Sequence, residues 1–332
     1  MRFSIIGYQF FVVLTLVALP SFKGGREWYF PKAENRPEAR SNAGMCFVPN
    51  GSESYVLLHG GIDRNGKILS DTWKWNGLIW EEFFLGTSPF PCTNFVLVYD
   101  EERKRVVRFG GFSEKEGLSN ATWVCDGVTW EKLLPIDAPS PRCMAAGVFN
   151  SKTRSVYLFG GSMGTRYSDE MWAWDGENWA QISDLIPQGR AQHAMAYDED
   201  RDKIVLYGGL GRDPGSRKIE LFTDTWEFDG KTWDLKKTKK SPPAVFAHSM
   251  VYHRDAGLII QFSGFNEKSE AQNSTWGWDG KQWKEIPFKE NDLPAPRVYP
   301  AVAYDKVRER TVVFGGIYVT EPTDLMSELA WR

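Results

Sequence analysis

The sequence predicts an all-β fold, a ring of six repeated four-stranded antiparallel units, and three observations carry that expectation. A glycine pair closes an apolar run again and again along the chain. In the first five copies a short aromatic strand follows, and an Asn-Gly or Asp-Gly turn then leads to a further Trp. Composition agrees: 15 Trp and 31 Gly in 332 residues are the mark of a strand-rich chain with many tight turns.

The N-terminus stands apart from this pattern. Phe10 to Leu19 is a nearly unbroken apolar run, ended by Pro20 and Ser21. This is the layout of a secretory signal peptide over residues 1–22, with an uncleaved membrane anchor as the alternative. This leader places the protein in a secreted, periplasmic or cell-surface setting, and the repeats are expected over 23–332. They run through Gly60-Gly61, Gly110-Gly111, Gly160-Gly161, Gly208-Gly209, the degenerate Ser263-Gly264 and Gly315-Gly316, spaced 50, 50, 48, 55 and 52 positions apart. The aromatic strands begin at Trp73, Trp123, Trp172, Trp226 and Trp276, and side chains two apart on a strand share a face. Asn76-Gly77, Asp126-Gly127, Asp175-Gly176, Asp229-Gly230 and Asp279-Gly280 are hairpin turns, because these pairs tolerate positive φ. Trp80, Trp130, Trp179, Trp233 and Trp283 open the outer strands. The sixth copy ends after three strands, and Gly24 to Phe30 matches the missing fourth. With Trp331 in the position of Trp75, Trp28 takes that of Trp80, and the N-terminal strand closes the ring.

These features resemble the Kelch repeat: an apolar strand to Gly-Gly, a variable loop, then spaced aromatics. The resemblance covers nearly everything after the leader and implies a six-bladed Kelch β-propeller, each repeat forming one blade stacked on its neighbours. Just before each inner strand stands Arg40, Cys92, Arg142, Arg190, Val245 or Arg297. In animal Kelch-domain ubiquitin-ligase adaptors, arginines near this place line a peptide-binding mouth. By that resemblance Arg40, Arg142, Arg190 and Arg297 are candidate mouth residues, able to grip a carboxylate or phosphate with two hydrogen bonds. The alternative is that each braces its own blade-to-blade loop. His193 and His248, three residues further on, join the candidates; no third ligand has fitting spacing, so neither a metal nor any other cofactor is expected. Asp71, Asn120, Asp224 and Asn273, shortly before the aromatic strands, suit local loop capping. Asn50, Asn120 and Asn273 also head glycosylation sequons. Of the four cysteines only Cys92 and Cys143 occupy corresponding places in neighbouring repeats; they are read as small buried thiols, with a disulfide between them as the alternative.

A net charge of −3, without a basic stripe, excludes a nucleic-acid binder; the run Lys236, Lys237, Lys239, Lys240 is a solvated loop. The expected function is a non-enzymatic binding module whose loops recognise a protein or glycan ligand, with the membrane involved only through an uncleaved leader. The alternative is a carbohydrate-active enzyme. Periplasmic N-acetylneuraminate epimerases are similar in layout and use a Glu and an Arg in a fourth-blade loop. Here Arg212, Asp213 and Arg217 lie in that loop, with Arg217 matching the Arg and Gly211 standing where the Glu belongs. No residue is assigned as catalytic. Galactose oxidase also carries Kelch-type blades, but on a seven-bladed ring with additional domains that this chain lacks.

Overall fold

The computed structural model describes residues 25–33, 35–84, 86–182, 187–213, 215 and 218–331; the leader expected over 1–22 lies outside the described residues. Among these residues the strands form six blade sheets, five of four strands and one of five, in which the short strand Arg40–Ser41 joins the first blade; each is built on a meander of inner, second, third and outer strand. The inner strands are Gly44–Val48, Val96–Asp100, Ala146–Asn150, Ala194–Asp198, Ser249–His253 and Ala301–Asp305, which define blades 1 to 6. Each inner strand touches the next and the last touches the first, so the blades close into a ring.

Burial follows from this stacking. Each blade presents two apolar faces, and six hydrophobic clusters fill the six spaces between adjacent blades. The interface between blades 6 and 1, for example, joins Val312, Phe314 and Met326 to Leu58, Trp75 and Trp80. A fully buried large side chain contributes on the order of 2–3 kcal/mol, so these clusters carry most of the fold's stability.

The glycine pairs mark where one blade's backbone crosses the next. Gly208 and Gly209 have φ of 67° and 88°, and a Cβ on Gly208 would come within 2.7 Å of the Val245 carbonyl in the following blade. The Gly209 N–H donates to that same carbonyl at 2.9 Å. Gly111, Gly161, Gly264 and Gly316 donate to the corresponding carbonyls of their own next blades. Ser263, the degenerate member, is forced to φ 66°.

The N-terminal strand does complete the last blade, but in a register two residues away from the expected one. Arg26–Tyr29 pairs antiparallel with Met326–Trp331, and Trp28 faces Leu329. Leu329, not Trp331, therefore occupies the place that Trp75 fills opposite Trp80. The shift is tolerated because a slip of two keeps every side chain on its own face of the sheet. Trp28 is 3% exposed, with its ring edge-on to Phe262 of blade 5. All four cysteines are buried, free thiols, and burial pushes Cys143 up to about 11.

Closure by this strand sets an expectation. Trp28→Ala should destabilise the protein by about 3–5 kcal/mol, the cost of emptying a buried Trp site. Urea unfolding followed by fluorescence measures it, and a loss below about 1 kcal/mol would show that the strand does not seal the ring.

Candidate functional site

The recurrent arginines are bound inside their own blades. Arg190 is fully buried; its Nε donates to the Gln188 carbonyl at 3.0 Å and Nη1 to the Gly208 carbonyl at 3.1 Å. Its two terminal nitrogens grip Asp224 at 2.6 and 2.8 Å. Arg40 repeats the pattern with Glu38, Gly60 and Asp71, and Arg142 with Ser140, Gly160 and Glu170. In each of these three blades the carboxylate also accepts the indole N–H of the aromatic strand, from Trp73, Trp172 or Trp226. Burial raises the Asp224 carboxyl, but the Arg190 guanidinium outweighs it and holds the group below its ordinary value. Arg297 has carbonyl acceptors only, on Ala295, Gly315 and Leu325, and burial brings it down to about 10. Asp71 and Asp224 are thus more than loop caps, and Glu170, which the sequence reading did not single out, has the same part.

Blades 2 and 5 lack this arginine and draw a polar group from the second strand instead. Arg108 occupies the place of Leu58, Leu158 and Leu206; its Nη2 reaches the Phe90 carbonyl at 3.3 Å, two residues before Cys92. Its Nη1 donates to His59 Nε2 at 3.1 Å, and burial first, then this guanidinium, holds His59 well below its ordinary value. In blade 5, Gln261 donates to the Ser263 carbonyl at 3.3 Å, the counterpart of the glycine carbonyls that the arginines serve. A long polar residue in an otherwise apolar second strand was the available signal.

The residues that line the axis lie two positions beyond the arginine place: Asn42, Asn94, Met144, Gln192, Ala247 and Tyr299. All six have left-handed backbone, φ 54–57°. Each N–H donates to the carbonyl of its counterpart in the preceding blade, at 2.9–3.4 Å, and the six bonds form a closed circle. The side chains frame a depression of about 150 Å³ at one end of the axis. Tyr299 reaches over the small Ala247 to donate its hydroxyl to Gln192 Oε1 at 3.1 Å, and Gln192 Nε2 lies 3.0 Å from Met144 Sδ. This arch covers the side of blades 3 to 6 and leaves the half-buried Asn42 and Asn94 at the open side.

His193 and His248 also line the depression, with rings turned back between blades edge-on to Phe159 and Tyr207. Burial lowers both, His248 to about 3, so they are neutral at pH 7 and the lining carries no charge. Among the described residues no group of His, Cys, Asp and Glu is arranged to hold a metal. In the fourth-blade loop, Asp213 N–H donates to the Lys218 carbonyl at 3.0 Å, and the Arg212 carbonyl accepts from Gln188 at 2.9 Å. Arg217 lies outside the described residues. Gly211 cannot be replaced by the acid that an epimerase would need: a side chain there would run into the Gly189 carbonyl and the Phe222 ring.

Two outcomes follow from this geometry. Arg190→Met should cost about 3 kcal/mol in urea unfolding, because it leaves the half-buried Asp224 carboxylate without its partner and the Gln188 and Gly208 carbonyls without a donor; a change under about 1 kcal/mol would mean the pair does not brace the blade. The second concerns acid. His193 and His248 bind protons less well folded than unfolded, so their stabilisation is complete above pH 6.5, the unfolded value, and is lost as pH falls below it. For His248 the loss continues down to pH about 3. The urea midpoint should fall from pH 7.5 to 5, and less steeply in His248→Gln; equal slopes would refute the assignment.

Residues 78–234 match the profile of the KLHDC2/KLHL20/DRC7 Kelch-repeats domain. No curated protein matches the chain. The matched segment runs from the turn of blade 1 into the outer strand of blade 4, and the same strand order and glycine geometry recur in the blades on either side. The match, just under half of the chain, is to Kelch repeats, and the strand order of the remaining blades agrees with it.

Proposed function

We propose that the chain is a non-enzymatic, protein-binding module of the extracytoplasmic space that takes an uncharged, hydrogen-bonding segment of its partner at the axial mouth. Kelch repeats are generally protein-interaction modules. The observation that carries the reading here is the mouth itself. Its rim offers amides from Asn42 and Asn94 and an apolar floor including Phe95 and Ala145, and the nearby arginines are already bound within their blades. A neutral rim favours backbone amides, hydroxyls and side-chain amides over carboxylates, since an anion would lose its water with no cation to meet it. The apolar run from Phe10 to Leu19 supports the extracytoplasmic setting. A glycan, also neutral and rich in hydroxyls, is the second ligand class that the same rim would accept.

The test compares wild type with Asn94→Tyr, which places at blade 2 the residue that blade 6 already carries and fills the open side. Material captured from the extracellular or periplasmic fraction should contain a protein whose binding weakens at least about tenfold, roughly 1.4 kcal/mol, in Asn94→Tyr. It should bind unchanged to Arg212→Ala. A sugar-only ligand would replace the protein reading by the glycan one. Equal binding by both variants, or accelerated mutarotation of N-acetylneuraminate, would overturn the mouth as a recognition site.

A further inference from the structure

The six interfaces between blades are of two kinds, and they alternate. Blades 1, 3 and 5 each press a tilted Trp pair against the preceding blade: Trp75 with Trp80, Trp174 with Trp179, and Trp278 with Trp283, ring centroids 5.3–5.5 Å apart, where blade 4 has Phe228 with Trp233 at 5.2 Å. Blades 2, 4 and 6 carry Cys125, Phe228 and Leu329 in place of the first of these tryptophans. The blades that receive the Trp pairs add an arginine to the same interfaces. Arg103, Arg201 and Arg308 of blades 2, 4 and 6 lie over the turn glycines Gly176, Gly280 and Gly77 of the following blades. Each is held by a buried aspartate three residues earlier, Asp100, Asp198 or Asp305, at 3.1, 2.7 and 2.7 Å. Val48, Asn150 and His253 stand at that place in blades 1, 3 and 5. Indole hydrogen bonds cross these interfaces too, from Trp179 to Thr122, Trp283 to Thr225, Trp278 to Glu227 and Trp75 to Glu328. The blades therefore group as 6 with 1, 2 with 3, and 4 with 5. The interfaces between these groups are joined by other links, Arg108 to His59, Lys152 to Asp202, and His253 to the Leu329 carbonyl.

A second observation falls on the same grouping. At the end of the axis opposite the mouth, Lys306 Nζ lies 2.7 Å from Glu101 and 2.5 Å from Glu199. These three residues each follow the buried aspartate of their own blade, in blades 6, 2 and 4. Both carboxylates belong to blades two places away from Lys306, on opposite sides, so the ammonium sits over the axis. Arg254 of blade 5 steadies Glu199 at 2.6 Å from within its own group. Each two-blade group thus contributes one charge to a single contact.

We propose that the propeller is an assembly of three two-blade units joined on the axis by the Lys306–Glu101–Glu199 clasp, and that it loosens at the interfaces between blades 1 and 2, 3 and 4, and 5 and 6. The clasp closes the axis at this end and couples the three units through Lys306, whose loss frees both carboxylates from blade 6.

Hydrogen exchange on the whole protein in sub-denaturing urea reads this directly, because cooperative units exchange together. Amides of blades 2 and 3 should share one opening free energy, as should those of 4 and 5, and of 6 and 1. In Lys306→Met, exchange should quicken on the order of tenfold in all three units; Glu101→Gln, which leaves Lys306 paired with Glu199, should quicken the unit of blades 2 and 3 above the others and serves should the first variant fail to fold. Exchange of all six blades as one unit, pairing in the other phase, or acceleration confined to blade 6 would overturn the proposal.

Discussion

Six backbone amides arranged head to tail around the axis set the geometry of everything else in this molecule. Each comes from a residue in left-handed backbone, a conformation that costs a non-glycine residue about 1–2 kcal/mol, whereas one buried amide hydrogen bond returns about 0.5–1.5 kcal/mol. The circle therefore contributes little net stability. It fixes how far apart the inner strands sit and how each blade is rotated against the next. The driving force lies outside it, in the six apolar clusters. Glycines stand beside the circle because the clusters can only form if the backbones come this close.

The same constraint explains why the arginines lie where they do. At each blade crossing a glycine carbonyl and a loop carbonyl are left without a strand partner, and buried carbonyls need donors. A guanidinium serves both at once and carries its charge to a carboxylate in the same blade. Blades 2 and 5 solve the same problem from the neighbouring strand with Arg108 and Gln261. The need is for a donor at that point in space, and the sequence position that supplies it is free to vary.

Much of this was legible from residue order alone. Glycine pairs, hairpin turns and Trp spacing gave the six units, and the ending of the last unit after three strands gave closure by Trp28. The register of that closure was not legible: Trp331 is the more obvious match to Trp75, and only packing against blade 5 favours Leu329. The mouth was half legible. The arginine position could be found by repetition, but whether a side chain there points to the axis or into the blade depends on left-handed residues two places later. Those six positions hold Asn, Asn, Met, Gln, Ala and Tyr, which share no chemistry and so form no visible pattern.

Because the first described strand is the outermost one of blade 6, the polypeptide joins the propeller at its circumference and not at either flat side. The closing strand thus leaves the mouth at the axis clear.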